Sequence, residues 1–191
     1  NPIDMEGTFA LPEAQRDRFQ LKLDVEIPER ELESELLARF DDRPSLGPTD
    51  AQQVVSLEDV VDARAAVRDI HVDPSVREYI LDIVEATRDS VDTAHGASPR
   101  AGIHLFTASK ARAAIHGREY VVPEDPKALA ESVLAHRFVL STDAELSDLE
   151  PRTIVEDVVR KVTPPTHDDV VRSAGAVSDG GSSPADRTDG E

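Results

Sequence analysis

Residues 73–88 read Asp-Pro-Ser-Val-Arg-Glu-Tyr-Ile-Leu-Asp-Ile-Val-Glu-Ala-Thr-Arg. Asp73 followed by Pro74 is a helix start. The acid can take up a free first-turn amide, and proline's fixed φ and missing N–H suit the first helical position. Val76, Tyr79, Ile80, Ile83, Val84 and Thr87 then recur every three or four residues, which makes one buried stripe of a helix. The same kind of start recurs downstream. Ser98 as N-cap with Pro99 predicts a helix to about His116, stopped at Gly117. Pro151 opens a helix to Val162 whose stripe is Ile154, Val155, Val158, Val159 and Val162. Between them, Pro123 to about Ala135 reads as helix, with Leu129, Val133 and Leu134 inward. Tyr120–Val122 and Phe138–Leu140 are short extended pieces.

Upstream, Ser56 and Asp59 form a box-like helix start before Leu57, Val60, Val61, Val67 and Ile70. Arg30–Phe40 is a helix with Leu32, Leu36, Leu37 and Phe40 on one face, and Leu11-Pro12-Glu13 resembles another helix start. Phe19 to Ile27 is different. Apolar and polar residues alternate there, the period of a half-buried strand, and Pro28 ends it. A single long strand cannot satisfy its own backbone and needs a sheet. That need, together with Asn1 in place of an initiator methionine, leads to the expectation that an upstream part precedes these residues. From Thr163 the composition turns to Pro, Gly, Ser and Asp, and disorder is expected. There is no internal repeat. The expected class is mainly α: the remnant of a sheet-containing core, then a helical bundle and an acidic tail.

The 191 residues carry 39 acids against 21 bases, a net charge of −18, and no cysteine. One domain or two small ones fit that length. Without cysteine there is no disulfide scaffold, thiolate metal site or cysteine nucleophile. No run approaches the ~18 apolar residues that cross a bilayer, so the expectation is a cytoplasmic chain without membrane insertion. The charge opposes a nucleic-acid binder, whose affinity comes from neutralising phosphates. The tail from Thr163 holds six acids and two bases, so most of the charge lies elsewhere. Lysine occurs four times. An acidic, lysine-poor surface suits a high-salt cytoplasm, where screening at about 3 Å at 1 M removes self-repulsion. The six histidines have no tight metal spacing and no HExxH pattern.

Four short motifs are more specific. Asn1-Pro2 is followed by Glu6-Gly7-Thr8 and then by Leu11-Pro12-Glu13-Ala14-Gln15-Arg16-Asp17-Arg18-Phe19. Further on come Gly96-Ala97-Ser98-Pro99-Arg100, then Gly117-Arg118-Glu119-Tyr120-Val121 with Pro123-Glu124-Asp125, and then His136-Arg137-Phe138-Val139-Leu140. In this order and spacing they resemble the MoxR family of AAA+ ATPases over most of residues 1–140. The resemblance implies an organisation. Residues 1–65 would be the C-terminal end of the AAA+ core, with its last strand, 66–162 the helical lid, and 163–191 a disordered acidic tail.

It also implies three roles. Asn1 matches sensor 1, an amide that orients the attacking water or touches the γ-phosphate. Arg18 matches the arginine finger offered to a neighbouring subunit's nucleotide, a guanidinium that spreads donors over developing phosphate charge. Arg16, at the motif's variable position, is an unresolved rival. Arg100 matches the sensor-2 arginine, in the first turn of a helix whose positive end favours an anion. The residues alone also allow blander roles: a turn asparagine at Asn1 and surface ion pairs at Arg18 and Arg100.

No G-x-x-x-x-G-K-[ST] loop occurs, and no apolar strand ends in adjacent Asp-Glu. In the resembled family both elements, Walker A and Walker B, precede the asparagine that is residue 1 here. The expectation is that these residues carry the sensing and trans-acting half of an ATPase site. ATP and Mg2+ would be held only in the full-length protein. The family implies a ring, expected as a hexamer, chaperone-like remodelling of client complexes, and a von Willebrand factor A domain protein as a possible partner. The alternative is a free-standing, non-catalytic protein that inserts into rings of a full-length relative.

Overall fold

Helices dominate residues 11–166, the part described in the computed structural model. Asn1 and the expected tail beyond Thr166 lie outside the described residues. The chain divides into two compact units. One holds residues 23–65; the other holds residues 11–22 together with 66–166. Residues 11–22 therefore group with the second unit, not with the rest of the expected core segment.

In the first unit, α2 (Arg30–Asp42) follows the sequence reading, and α3 (Leu57–Asp69) begins here. Both start for local reasons. Glu31 and Glu33 sit in the first turn of α2, where negative charge meets the positive end of the helix. At α3, the Asp59 amide donates to Ser56 Oγ at 3.0 Å and the Ser56 amide donates to Asp59 Oδ2 at 2.7 Å, a capping box. The Ser56 hydroxyl, which donates to the same carboxylate, and then the Ser56 amide hold the Asp59 carboxyl below its usual pKa. Neither helix has a buried residue. The strand expected at Phe19–Ile27 is corrected: it forms no ladder among the described residues, and Leu23, Val25 and Ile27 are exposed. Alternation gives a segment two faces, but a strand exists only where another strand accepts its hydrogen bonds.

The second unit holds the core. It begins with α1 (Glu13–Arg16), a single turn. α4 (Pro74–Arg88) buries all six residues of the stripe read from the sequence, and Asp73 Oδ1 accepts from the Ser75 amide at 2.8 Å as its cap. α5 (Pro99–Ile115) packs against α4 and α6 (Glu124–Leu134), and α8 (Pro151–Lys161) packs against both α4 and α6. Ile83, Leu105, Leu134, Val76, Val133 and Val155 are its fully buried centre. α5 ends at His116, with Gly117 at φ 67°. There the Arg118 amide donates to Ala113 O at 3.0 Å and the Gly117 amide to Ala114 O at 2.9 Å, a Schellman cap.

Two short pieces complete the unit. β1 (Thr93–His95) pairs antiparallel with β2 (Val139–Leu140), in register Thr93 with Leu140 and His95 with Val139. α7 (Thr142–Leu146) is capped by Ser141. The Gly117–Asp125 motif is a structural staple. Arg118 donates twice to the Asp125 carboxylate, both at 2.7 Å, and Asp125 also accepts from the Val122 amide at 3.0 Å. Asp125 is buried, and this pairing is what makes a buried charge tolerable.

Candidate functional site

Three of the four motifs meet within the second unit, at Asp17. This residue ends α1 and is followed by a turn, with the Arg18 amide donating to Gln15 O at 3.1 Å and the Phe19 amide to Arg16 O at 3.1 Å. The Asp17 carboxylate accepts from Arg137 Nη1 at 2.6 Å, Ser98 Oγ at 2.8 Å and Arg100 Nη1 at 3.3 Å. The donors lie 81, 83 and 120 residues away in sequence. Ser98 is the N-cap of α5, as read from the sequence; its hydroxyl donates to Asp17, while its carbonyl accepts from the Ala101 amide at 2.9 Å.

The loop before α5 is held by the end of α4. Gly96 packs so closely that a Cβ would lie 2.5 Å from Thr87 O and 2.6 Å from the Arg88 backbone. Only glycine fits there. Arg88 Nε donates to Ala97 O at 2.8 Å, and the Ala97 amide donates to Thr87 Oγ1 at 2.9 Å. These contacts fix Gly96 and Ala97, just ahead of Ser98-Pro99, and thereby the direction of α5 and the place of Arg100 in its first turn.

Arg137 is the most buried cation of the site, its side chain 1% exposed. Besides the Asp17 carboxylate, it donates to the carbonyls of Val133 and Asp17, each at 2.7 Å, and of Phe19. Its Nη2 also faces His104 Nδ1. Burial pulls the Arg137 pKa down, and the Asp17 bond opposes that. Burial, then the Arg137 charge, pushes the His104 pKa below its usual value. A neutral ring is what lets Nδ1 accept from the guanidinium. His136 is likewise pushed down by burial, and its Nε2 lies 3.1 Å from Phe19 O.

The residues expected from the sequence fall as follows. Arg100 is in the first turn of α5, its side chain 50% exposed. Arg18 is exposed and forms no ion pair among the described residues. Arg16 is half-buried, with its Nε unpartnered. Asn1 lies outside the described residues. Asp17, Arg137 and His104 were not read as site residues. The available signal was Arg137 itself, a charge within the apolar run Val133-Leu134 to Phe138-Val139-Leu140.

Arg100 and Arg137 share one carboxylate, and Arg18 adds a further cation beside it in sequence. This local excess of guanidinium over carboxylate favours an anion. No group of three or more potential metal ligands exists among the described residues, so these side chains do not fit a seat for Mg2+. What they can offer a nucleotide is guanidinium donors. No described helix is long and apolar enough to cross a membrane.

Residues 85–158 match the AAA lid domain family. The match runs from the last turn of α4 into α8 and includes Arg100 and Arg137. The chain is 34% identical to the Bacillus subtilis protein YeaC over 90% of its own length and 53% of YeaC. It is also 34% identical to Chaperone MoxR1 of Mycobacterium tuberculosis, over 86% of this chain and 45% of MoxR1, and to Protein MoxR of Paracoccus denitrificans, over 74% and 47%. It resembles the crystal structure of a proposed ATPase from Cytophaga hutchinsonii with a TM-score of 0.78 at 35% identity, covering 87% of this chain and 52% of that one. The chain thus spans about half the length of the relatives it matches.

Proposed function

We infer that this chain is the C-terminal part of a MoxR-type AAA+ ATPase. The carrying observation is the convergence on Asp17 of the segment holding Arg18, the loop holding Arg100 and the segment holding Arg137. In this reading Arg100 is the sensor-2 arginine and reaches the phosphates of its own subunit. Its exposed guanidinium and single long bond to Asp17 leave it free to do so. Arg18 is the finger for the neighbouring subunit, and Asn1 is the sensor-1 amide. Residues 1–65 finish the AAA+ core, 66–162 are the lid, and 163–191 form an acidic tail. The rest of the core would supply the sheet that Leu23, Val25 and Ile27 lack. ATP and Mg2+ belong to the full-length protein, a cytoplasmic ring, expected as a hexamer. Its nucleotide cycle remodels client proteins in a chaperone-like way, with a von Willebrand factor A domain protein as a possible partner.

Residues 1–191 alone should neither bind ATP tightly nor hydrolyse it; magnesium-dependent turnover by the purified chain overturns this. In the full-length ring, Arg18→Ala should abolish turnover and spare ATP binding. Activity that survives Arg18→Ala but is lost in Arg16→Ala would move the finger to Arg16. The intact mass of the native polypeptide decides between this reading and the free-standing one. A mass well above 20.8 kDa supports the ATPase; a mass at that value supports a non-catalytic partner of a full-length relative.

A further inference from the structure

We propose that Arg137 is a positioning residue for Arg18, fixing it from within the lid. The inference rests on the reading of Arg18 as the finger. The guanidinium of Arg137 grips the chain on both sides of Arg18. Nη1 donates to the Asp17 carbonyl at 2.7 Å and to its carboxylate at 2.6 Å. Nη2 donates to the Phe19 carbonyl and reaches Gln20 O at 3.5 Å. Nε is anchored on Val133 O at 2.7 Å, at the end of α6. Residues 17, 19 and 20 are thereby tied to the lid core, and residue 18 between them is left with its side chain exposed. A group that acts on a neighbour needs this combination: a fixed backbone and an unengaged head.

A planar fork is required to reach carbonyls on either side of one residue while holding a carboxylate. The outer partners reinforce it. Gln20 Nε2 donates to Thr107 Oγ1 on α5 at 3.0 Å, and the Lys22 amide donates to Ser132 O on α6 at 2.9 Å. Arg100 uses the same carboxylate, but at 3.3 Å and half exposed. If Arg100 leaves for a phosphate, Arg137 and Ser98 remain on Asp17, so the grip on residue 18 survives. The lid then carries both a residue that senses its own subunit's nucleotide and the mount of the residue offered to the next subunit.

The test uses the ATP-hydrolysing protein that carries this chain, with Arg137→Lys, which keeps the charge and removes the fork. The expected result is a fall in kcat of about tenfold or more with the KM for ATP within about twofold, the pattern of a lost transition-state interaction. Asp17→Asn, which keeps the side-chain volume, should move kcat in the same direction. Hydrogen exchange should speed up at residues 16–22 in Arg137→Lys and stay unchanged in α4 and α8. Mixed rings give the sharpest readout. Arg137→Lys subunits mixed with Arg100→Ala subunits should recover turnover, because some sites then join an intact sensor to a well-placed finger. A lid defect confined to its own subunit would not be complemented. An unchanged kcat in Arg137→Lys, with Arg18→Ala inactive, overturns the proposal and leaves the finger reading intact. Turnover unmoved by Arg18→Ala removes the finger reading and the proposal with it.

Discussion

α2 and α4 are helices of similar length, 13 and 15 residues, each with an apolar stripe legible in the sequence. In α4 the stripe is buried among α5 and α8. In α2 the corresponding residues, Leu32, Leu36, Leu37 and Phe40, are all exposed. The same kind of pattern therefore yields the same secondary structure and different energetics. Periodicity settles that a helix forms; the partner settles how much free energy the stripe returns.

Substitutions within the two stripes give the largest test of that difference. Ile83→Ala, at a fully buried position, should cost about 2–5 kcal/mol. Leu36→Ala, at a side chain 40% exposed, should cost under about 1 kcal/mol. Urea unfolding followed by circular dichroism measures both, and equal losses would erase the contrast. Gly96→Ala comes next. The added methyl meets backbone, which cannot turn aside as a side chain can, so about 1–3 kcal/mol should be lost from the lid. A neutral Gly96→Ala would mean that the loop is free of α4.

The smallest effect is on pH, and it sharpens the comparison because residues 23–65 contain no histidine. His104 and His136 are held below their usual pKa in the folded lid. Above the unfolded value of about 6.5 both states are neutral, and the stability is fully present. As the pH falls below it, the unfolded chain binds protons that the folded lid refuses, and stability declines. Unfolding curves at pH 7.5 and 5.5 should show the decline, and His104→Gln should flatten it. A lid that gains stability on acidification would contradict the assigned direction.

Sequence reading succeeded where the cause is local. Asp73-Pro74, Ser98-Pro99 and Pro151 mark helix starts because proline and its neighbours act within one turn. Gly117 marks an end for the same reason. It failed where a second segment decides. Phe19–Ile27 has a strand's alternation without a strand beside it among the described residues. β1, at three residues, is too short for any period to show, whereas β2 falls within the extended piece read at Phe138–Leu140. Ser98 was placed correctly at the start of α5, but its bond to Asp17, 81 residues upstream, has no local signal. Within the candidate site, motif resemblance pointed to Arg100 and Arg18. Asp17 and Arg137 were invisible as a pair, since nothing local in either motif tells that one completes the other.

The separation between those two residues also sets an order in time. A ribosome adding about 5–20 residues per second needs roughly 6–24 seconds to travel the 120 positions from Asp17 to Arg137. For that interval the turn bearing Arg18 has been synthesised and its mount has not. The first of the four motifs to leave the ribosome is thus seated only after the last of them has followed. A nascent-chain binder arriving in those seconds would meet a segment that the finished lid later claims.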